Sequence, residues 1–378
     1  MDMQDNEIWN SEVEESDEIS GRNETPFDPR EIQIYPKTLV LALLIRRIKS
    51  KMLDLHPDFQ RNSGVWSKTK QSRLIESLMI RIPLPSFYFD ASQENHWLVV
   101  DGLQRLSTIY DFVIGKFKLN NLEFLHEFEG LTYDRLPSVF QMRIDEAEVT
   151  SYLIMPGTPR RVKFDIFRRI NTGGKQLSAQ EIRHALNLGV VTDMIKFMAE
   201  TPEFVEATDG KLSSLRMADR ECALRYLAFL TLTPEAYQRK DFDLFLCDFM
   251  SDFNEQHQGA SIEMGELGEI IGKFRETMAF AKQLLGEYAF RKVRTVGEVP
   301  QVINKALFEA WSVNLANLHP FDRDLLLNRR DELLRKFVAR LNSDEEFLQS
   351  VSQGTGDVLM VRKRFNTIRD LLREVEYD

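Results

Sequence analysis

The feature that most limits the fold of this chain is the point at which strand-like patterns stop. Short apolar runs with strand character occur only before residue 160, at 31–36, 86–90, 96–102 and 147–155. From Arg160 to Asp378 the apolar residues recur almost throughout at helical spacing. The pattern therefore predicts an α+β fold, with a small mixed sheet in a domain over residues 31–175 and an all-helical domain over residues 176–378.

Helical periodicity and capping residues further divide the N-terminal part. Apolar positions three and four residues apart predict helices over residues 38–50, 68–82, 103–115 and 160–170. Pro83 and Pro85 end the second of these, because proline lacks an N–H and biases its predecessor toward extended geometry. Ser178 and Glu181 have the spacing of a capping box, which predicts the start of the next helix.

The negative charge of the chain is concentrated at its beginning. Residues 1–30 hold ten acidic and two basic side chains, whereas the rest of the chain has 47 basic against 49 acidic groups. With few large apolar residues and no periodicity, residues 1–30 are predicted to form a disordered acidic tail. Such a tail either aids solubility or occupies a basic groove until a partner displaces it.

Composition excludes several classes of protein. No apolar run approaches the roughly 20 residues of a membrane-spanning helix, and the acidic start does not resemble a secretory signal, so we expect a cytoplasmic protein without a membrane partner. Cys222 and Cys247 are the only cysteines, which argues against a disulfide framework or a cysteine-based zinc site. The six histidines are scattered, and we assign no metal ligands to the protein.

The segment Trp97–Tyr110 joins a short apolar run to a helical pattern at Asp101-Gly102. Glycine permits a positive φ, and we expect Asp101 to cap the N–H groups of the first helical turn. Gln104 and Arg105 then lie at a helix N-terminus, where the helix dipole favours anions. The segment is therefore either an ordinary Asp-Gly turn or an anion-binding site.

Three other segments place polar groups beside apolar elements. A planar guanidinium suits phosphate, an amide both donates and accepts, and paired glycines expose backbone N–H groups. Each segment also has a simpler interpretation as a loop or a solvated helix face. The three are Phe59-Gln60-Arg61, then Arg168-Arg169-Ile170-Asn171-Thr172-Gly173-Gly174, and Glu181-Ile182-Arg183-His184.

Taken in order, these motifs resemble one family. The chain is similar to the N-terminal domains of GmrSD-type modification-dependent restriction enzymes, whose core resembles the ParB and sulfiredoxin fold. The resemblance covers roughly residues 35–230. The matching segments are residues 59–61, Trp66, Ile82-Pro83-Leu84-Pro85, Val100-Asp101-Gly102-Leu103-Gln104-Arg105-Leu106, residues 167–174 and residues 177–183.

The resemblance implies nucleotide chemistry linked to DNA. It implies a nucleoside triphosphate, with or without Mg²⁺, as the cofactor, and an NTPase acting in restriction-type or anti-phage defence. The partners it implies are DNA, modified or not, or an effector protein, and a homo-oligomer is compatible with either. The implied catalytic residues are Asp101, Gln104 and Arg105. The implied nucleotide-binding residues are Gly102, Gln60, Arg61, Arg169, Asn171, Thr172, Gly173 and Gly174.

Two departures from the family pattern leave an alternative open. Leu103 stands where the family often has a first glutamine, which favours a non-catalytic DNA- or protein-binding module with a degenerate NTPase pocket. Relatives often carry a nuclease domain of the His-Asn-His type as well. Here the nearest segment, which contains Asn317, His319 and Asn328, lacks a second histidine and a preceding acid, so no nuclease site is predicted.

Overall fold

A computed structural model describes residues 13–14, 30, 32–55, 66–170, 177–212, 214–238 and 241–377. The chain divides into two compact units, one over residues 25–186 and the other over residues 187–378 together with residues 1–24. The first unit is mixed α+β, and the second is helical apart from a short pair of strands. The predicted α+β class is confirmed at this level. Most of the predicted acidic tail lies outside the described residues.

The mixed unit contains one five-stranded sheet in the order β2-β6-β4-β5-β3. Neighbouring strands alternate between antiparallel pairs, β2 with β6 and β4 with β5, and parallel pairs, β6 with β4 and β5 with β3. The predicted adjacency of the strands around residues 88 and 98 is thus confirmed. The strands are β2 (Ile34–Val40), β3 (Leu53–Asp54), β4 (Phe87–Gln93), β5 (His96–Asp101) and β6 (Glu148–Ile154).

Alternating side chains give this sheet two different faces. Phe87, Phe89, Val99 and Leu153 are buried in an apolar core that also contains residues of the helices α1 to α4. The intervening residues of the same strands lie on the opposite face. The first four helices are α1 (Leu41–Lys49), α2 (Lys68–Met79), α3 (Leu103–Val113) and α4 (Ser138–Asp145).

The start of the first helix differs from the prediction. The sequence predicts a helix from residue 38, but β2 continues to Val40, which pairs with Glu148 of β6, and α1 begins at Leu41. Short apolar runs fit both periodicities, and here pairing with β6 favours the strand.

Two further helices complete the mixed unit, α5 (Arg160–Ile170) and α6 (Ala179–Leu186). The predicted capping box at the start of α6 is confirmed. The Ser178 backbone N–H donates to Glu181 Oε2 at 2.6 Å, and the Glu181 N–H donates to Ser178 Oγ at 3.1 Å. The box satisfies two N–H groups that helix geometry leaves without intrahelical acceptors.

The second unit buries one large apolar cluster among ten helices within its described residues. Two residues at its start, β1 (Val13–Glu14), pair in parallel with β7 (Ile303–Asn304). His319, from the segment compared with a nuclease motif, caps a helix by accepting the Phe321 N–H at its Nδ1. The helices are α7 (Val190–Ala199), α8 (Pro202–Ala207), α9 (Ala218–Leu232), α10 (Phe242–Gln256), α11 (Gly265–Leu285), α12 (Lys305–Ala316), α13 (Pro320–Asn328), α14 (Arg330–Ser343), α15 (Glu345–Ser350) and α16 (Val358–Tyr377).

Among the described helices, none combines the length and the apolar character that crossing a membrane would require.

Candidate functional site

The turn between β5 and α3 is built around Gly102. Its φ of 95° lies in the left-handed region, and it is the N-cap residue of α3. A β-carbon at this position would overlap the ring of Phe87, so the turn needs glycine both for its backbone angle and for this close approach. The prediction of a positive φ is therefore confirmed.

Asp101 has a different hydrogen-bond partner from the one the sequence suggests. It does not cap the first turn of α3; instead its Oδ2 accepts a hydrogen bond from Arg105 Nη2 at 2.9 Å. Asp101 precedes the cap position, because Gly102 itself begins the helix. The Asp101 side chain remains 29% exposed, and its Oδ1 accepts no hydrogen bond within the described part of the chain.

Arg105 connects the turn to the segment that precedes β4. Its Nη1 donates to the Pro85 carbonyl, its Nη2 donates to the Ser86 carbonyl at 3.1 Å, and the guanidinium lies 4.6 Å from the centre of the Phe87 ring. Burial lowers the pKa of Arg105, and the charge of Asp101 opposes that shift. The guanidinium therefore holds the turn in place through backbone carbonyls and one carboxylate.

Leu103 and Gln104, which lie between Gly102 and Arg105, have opposite environments. Leu103 is 8% exposed and belongs to the apolar core of the mixed unit. Gln104 is half-buried, and its side-chain amide forms no hydrogen bond with the described residues. Gln104 is therefore a partly exposed polar side chain beside the turn, whereas Leu103 is packed into the core.

A register shift brings Asp101 beside Tyr88. Phe89 pairs with Val99, but Tyr88 pairs with Asp101, so Val100 is an extra residue in β5. Because directly opposed residues of an antiparallel pair point to the same face, the shift places Asp101 on the Tyr88 face of the sheet. β-Bulges near functional sites commonly re-aim a side chain in this way.

The same face carries a buried charged cluster that sequence reasoning missed. Lys163 Nζ of α5 lies 3.1 Å from Asp90 Oδ2 and donates to Ser92 Oγ, and Ser92 Oγ in turn donates to Asp90 Oδ1. Asp90 is 6% exposed. A lysine inside a helical pattern and an aspartate at a strand end are separated by too many residues to be paired by spacing alone.

The remaining predicted nucleotide-binding residues are only partly described. Arg169 is exposed in the last turn of α5, and no hydrogen bond or ion pair joins it to Asp101, Gln104 or Arg105 within the described ranges. The other predicted residues lie outside the described residues. These are Gln60, Arg61, Asn171, Thr172, Gly173 and Gly174.

Helix α6 contributes polar residues that are almost completely buried. Gln180 is fully buried, and Arg183 and His184 are 1% and 2% exposed. Arg183 Nε donates to Gln180 Oε1 at 2.9 Å, while Gln180 Nε2 has no hydrogen-bond partner among the described residues. These polar side chains are therefore shielded from solvent although α6 is a short helix.

Charge is distributed unequally along the chain. Residues 31–186 carry 22 basic and 17 acidic side chains, whereas residues 187–378 carry 25 basic and 32 acidic side chains. The mixed segment is therefore net positive and the helical segment net negative. Within the described ranges, no group of three or more His, Cys, Asp and Glu side chains is arranged to hold a metal ion.

Two tyrosines of the site also escaped sequence reasoning. Tyr88 and Tyr152 pair directly across β4 and β6, and their rings stack with centroids 4.8 Å apart. The signal was the strand period of two, since Tyr88 lies between the core residues Phe87 and Phe89.

Comparison with known proteins agrees with this arrangement of motifs. Residues 41–188 match the family model described as GmrSD restriction endonuclease, N-terminal domain. No curated protein and no solved structure matches the chain. The match contains the whole segment from α1 to α6 and includes the β5–α3 turn. This part of the chain belongs to the GmrSD restriction endonuclease N-terminal domain family.

Proposed function

We propose that the protein binds a nucleoside triphosphate at the β5–α3 turn and hydrolyses it as part of a restriction-type, anti-phage response. The observation that carries this proposal is the position of a partly exposed carboxylate, Asp101, directly before the N-terminus of α3 at Gly102. The first N–H groups of a helix have no intrahelical acceptors, and the helix dipole favours negative charge at that end. Membership of the restriction-enzyme family supports the nucleotide assignment.

The residues of the turn then take distinct roles. The backbone N–H groups of the first turn of α3 bind phosphate, and Gln104 orients the attacking water with its uncommitted amide. Arg105 is a positioning residue, because its guanidinium acts through Asp101 and the carbonyls of Pro85 and Ser86. These roles require that α3 and the segment before β4 keep their relative positions.

A divalent cation fits this donor set. Mg²⁺ is usually bound by one or two carboxylates together with substrate phosphates and water. Asp101 supplies one such carboxylate, and its Oδ1 is not engaged by the described residues. Bound there, the cation would neutralise charge on the phosphates.

The proposal also includes the partners of the protein. The net positive charge of residues 31–186 supports DNA, modified or not, as the partner of the mixed unit. A ParB-like core and an effector subunit are further parts of the same proposal and are supported by the family resemblance. A cytoplasmic location, which rests on composition, and a homo-oligomer are also part of the proposal.

Phosphate release tests the catalytic proposal directly. The purified full-length chain is assayed with each of the four ribonucleoside triphosphates, with and without modified DNA. We expect Gln104→Ala to lower turnover by at least about tenfold without changing the melting temperature, because its side-chain amide has no hydrogen-bond partner among the described residues. Ser107→Ala, a half-buried residue of the same helix, is the matched control. Equal turnover in wild type and Gln104→Ala would remove Gln104 from the mechanism.

A non-catalytic binding module is the second candidate. It is favoured by the contacts of Arg105, because the guanidinium already donates to two backbone carbonyls and to Asp101. Triphosphate binding measured by titration calorimetry without any phosphate release, in the presence or absence of DNA, would support this candidate over the NTPase.

A further inference from the structure

Four neighbouring strands place a row of side chains beside the proposed phosphate site. Asp101 of β5 pairs with Tyr88 of β4, and Tyr88 pairs with Tyr152 of β6. The same register continues to Pro36 of the edge strand β2. Because paired residues share a sheet face, these four residues form a continuous row, which we call the tyrosine row.

The aromatic part of this row lies outside the apolar core. Tyr88 and Tyr152 are both half-buried, and neither belongs to the core cluster that contains Phe87 and Phe89. Their rings are nearly parallel, with an interplanar angle of 17°. Neither hydroxyl forms a hydrogen bond within the described part of the chain. The two facing ring faces cover each other, so the pair presents its outer ring faces, its ring edges and its two hydroxyls.

Helix α5 covers one end of this face and leaves the other open. Asp90 follows Tyr88 by two residues on the same face, pairs with Ile154, and is buried against Lys163 of α5. Pro36, at the other side of the row, is exposed. Burial therefore decreases from the Asp90 position toward the tyrosine row.

We propose that the stacked pair of Tyr88 and Tyr152 binds the base of the nucleotide whose phosphates bind at the Asp101–Gly102 turn, through the ring faces and edges that the two tyrosines do not turn toward each other. This inference rests on the proposed function and names the part of the ligand that the sheet recognises. Strands lie about 4.8 Å apart, so the two tyrosine positions are about 5 and 10 Å from Asp101 along the row. A nucleotide spans such a distance between its phosphates and its base.

The chemistry of the row suits a nucleobase better than an aliphatic ligand. Every base has a π-face, and aromatic side chains on a sheet surface are a recurrent platform for stacking bases. Burial, and then the proximity of Tyr152 and Asp101, raises the pKa of Tyr88, so its hydroxyl stays a hydrogen-bond donor at neutral pH. The hydroxyls can therefore contact acceptors on the edge of a base or on the ribose.

Titration calorimetry on the full-length chain separates base binding from phosphate binding. The ligands are the four ribonucleoside triphosphates, inorganic tripolyphosphate and a short single-stranded oligothymidylate. We expect Tyr88→Leu and Tyr152→Leu each to weaken triphosphate binding by about 10- to 100-fold, the equivalent of about 1–3 kcal/mol per stacked base. Binding of tripolyphosphate should not change.

Conservative and distant variants control for folding. Tyr152→Phe keeps the ring and should restore most of the affinity that Tyr152→Leu loses. Tyr35→Leu removes an exposed tyrosine of β2, which pairs with the core residue Leu153 and therefore lies on the other side of the sheet. It should bind every ligand as the wild type does, and thermal melting establishes that each variant is folded.

Three results would overturn the inference. If both leucine variants bind each triphosphate, and also tripolyphosphate, as tightly as the wild type does, the proposed base site is wrong but the proposed phosphate site stands. If the leucine variants lose only oligothymidylate binding, the base belongs to a nucleic acid and not to the free nucleotide. If the wild type binds neither triphosphates nor tripolyphosphate, the proposed function fails as well.

Discussion

The ring of Phe87 packs against the backbone of Gly102 so closely that any β-carbon at residue 102 would overlap it. Phe87 begins β4, and Gly102 ends the turn after the neighbouring strand β5. The same ring also lies beneath the guanidinium of Arg105. The Asp-Gly motif is therefore explained first by packing, and any nucleotide chemistry at the turn depends on this contact.

Gly102→Ala is expected to destabilise the protein. A non-glycine residue at positive φ costs about 1–2 kcal/mol, and displacing a buried ring adds about 1–3 kcal/mol. The free energy of unfolding, measured by urea denaturation, should fall by the sum. Gly115→Ala is the control, because Gly115 has a φ of 76° but a β-carbon there would meet no neighbouring atom of the described residues within 4 Å. Equal losses in the two variants would show that the Phe87 contact contributes nothing.

The substitution Leu103→Gln tests whether the missing glutamine matters for turnover. Leu103 is 8% exposed in the core, so a glutamine there buries an amide without a partner and should cost about 1–3 kcal/mol. We expect lower stability and no gain in phosphate release. Ser107→Gln, at a half-buried position of the same helix, should be tolerated. Increased hydrolysis with unchanged stability in Leu103→Gln would instead place residue 103 in the active site.

Local patterns in the sequence predicted much of this region. The pairing of β4 with β5, the helix after Gly102 and the Ser178–Glu181 capping box all depend on residues a few positions apart. Such contacts follow from periodicity and residue type.

The contacts that define the site could not be predicted in this way. Arg105 donates to carbonyls about twenty residues earlier in the chain. Lys163 contacts Asp90 from α5, a helix that follows β6 in the sequence. The register shift that turns Asp101 toward Tyr88 has no signal in a single strand pattern. These features depend on how strands and helices pack in three dimensions.

Glu76 should make stability depend on acid pH. Its carboxylate is 2% exposed and accepts the backbone N–H groups of Glu123, Phe124 and Leu125 at 2.7–3.1 Å. Burial raises the pKa of Glu76, but these hydrogen bonds lower it more, and the folded pKa lies below the ordinary 4.5. This stabilisation is therefore present above pH 4.5 and is lost as the pH falls through the folded pKa.

Glu76→Gln removes that pH dependence. At neutral pH the variant should be less stable by about 1–3 kcal/mol, because an amide satisfies fewer of the N–H donors. Below pH 4.5 the difference from wild type should shrink. Urea unfolding across this pH range measures the effect, with Glu123→Gln, an exposed carboxylate 3.7 Å from Arg73, as control. A difference that stays constant with pH would contradict the assignment.

Loss of one member of a buried ion cluster should strongly destabilise the helical unit. Glu309 is fully buried, with Oε2 3.2 Å from Arg225 Nη1 and Oε1 2.8 Å from Arg364 Nε. Glu309→Gln leaves the buried guanidinium of Arg364 facing a neutral amide, whereas Arg225 keeps its ion pair with Glu221. Removing one partner of a buried pair costs about 3–5 kcal/mol. Urea unfolding followed by circular dichroism measures this loss.

The exposed pair of Glu203 with Arg275 provides the matched comparison. Their atoms are as close as 2.8 Å, but the two side chains are 25% and 51% exposed. Solvent screens such pairs, so Glu203→Gln should cost only about 0–1 kcal/mol. If Glu309→Gln is no more destabilising than Glu203→Gln, burial does not make the Glu309 cluster important. Because hydrophobic replacement of a whole buried cluster is often neutral, only the loss of one member tests the point.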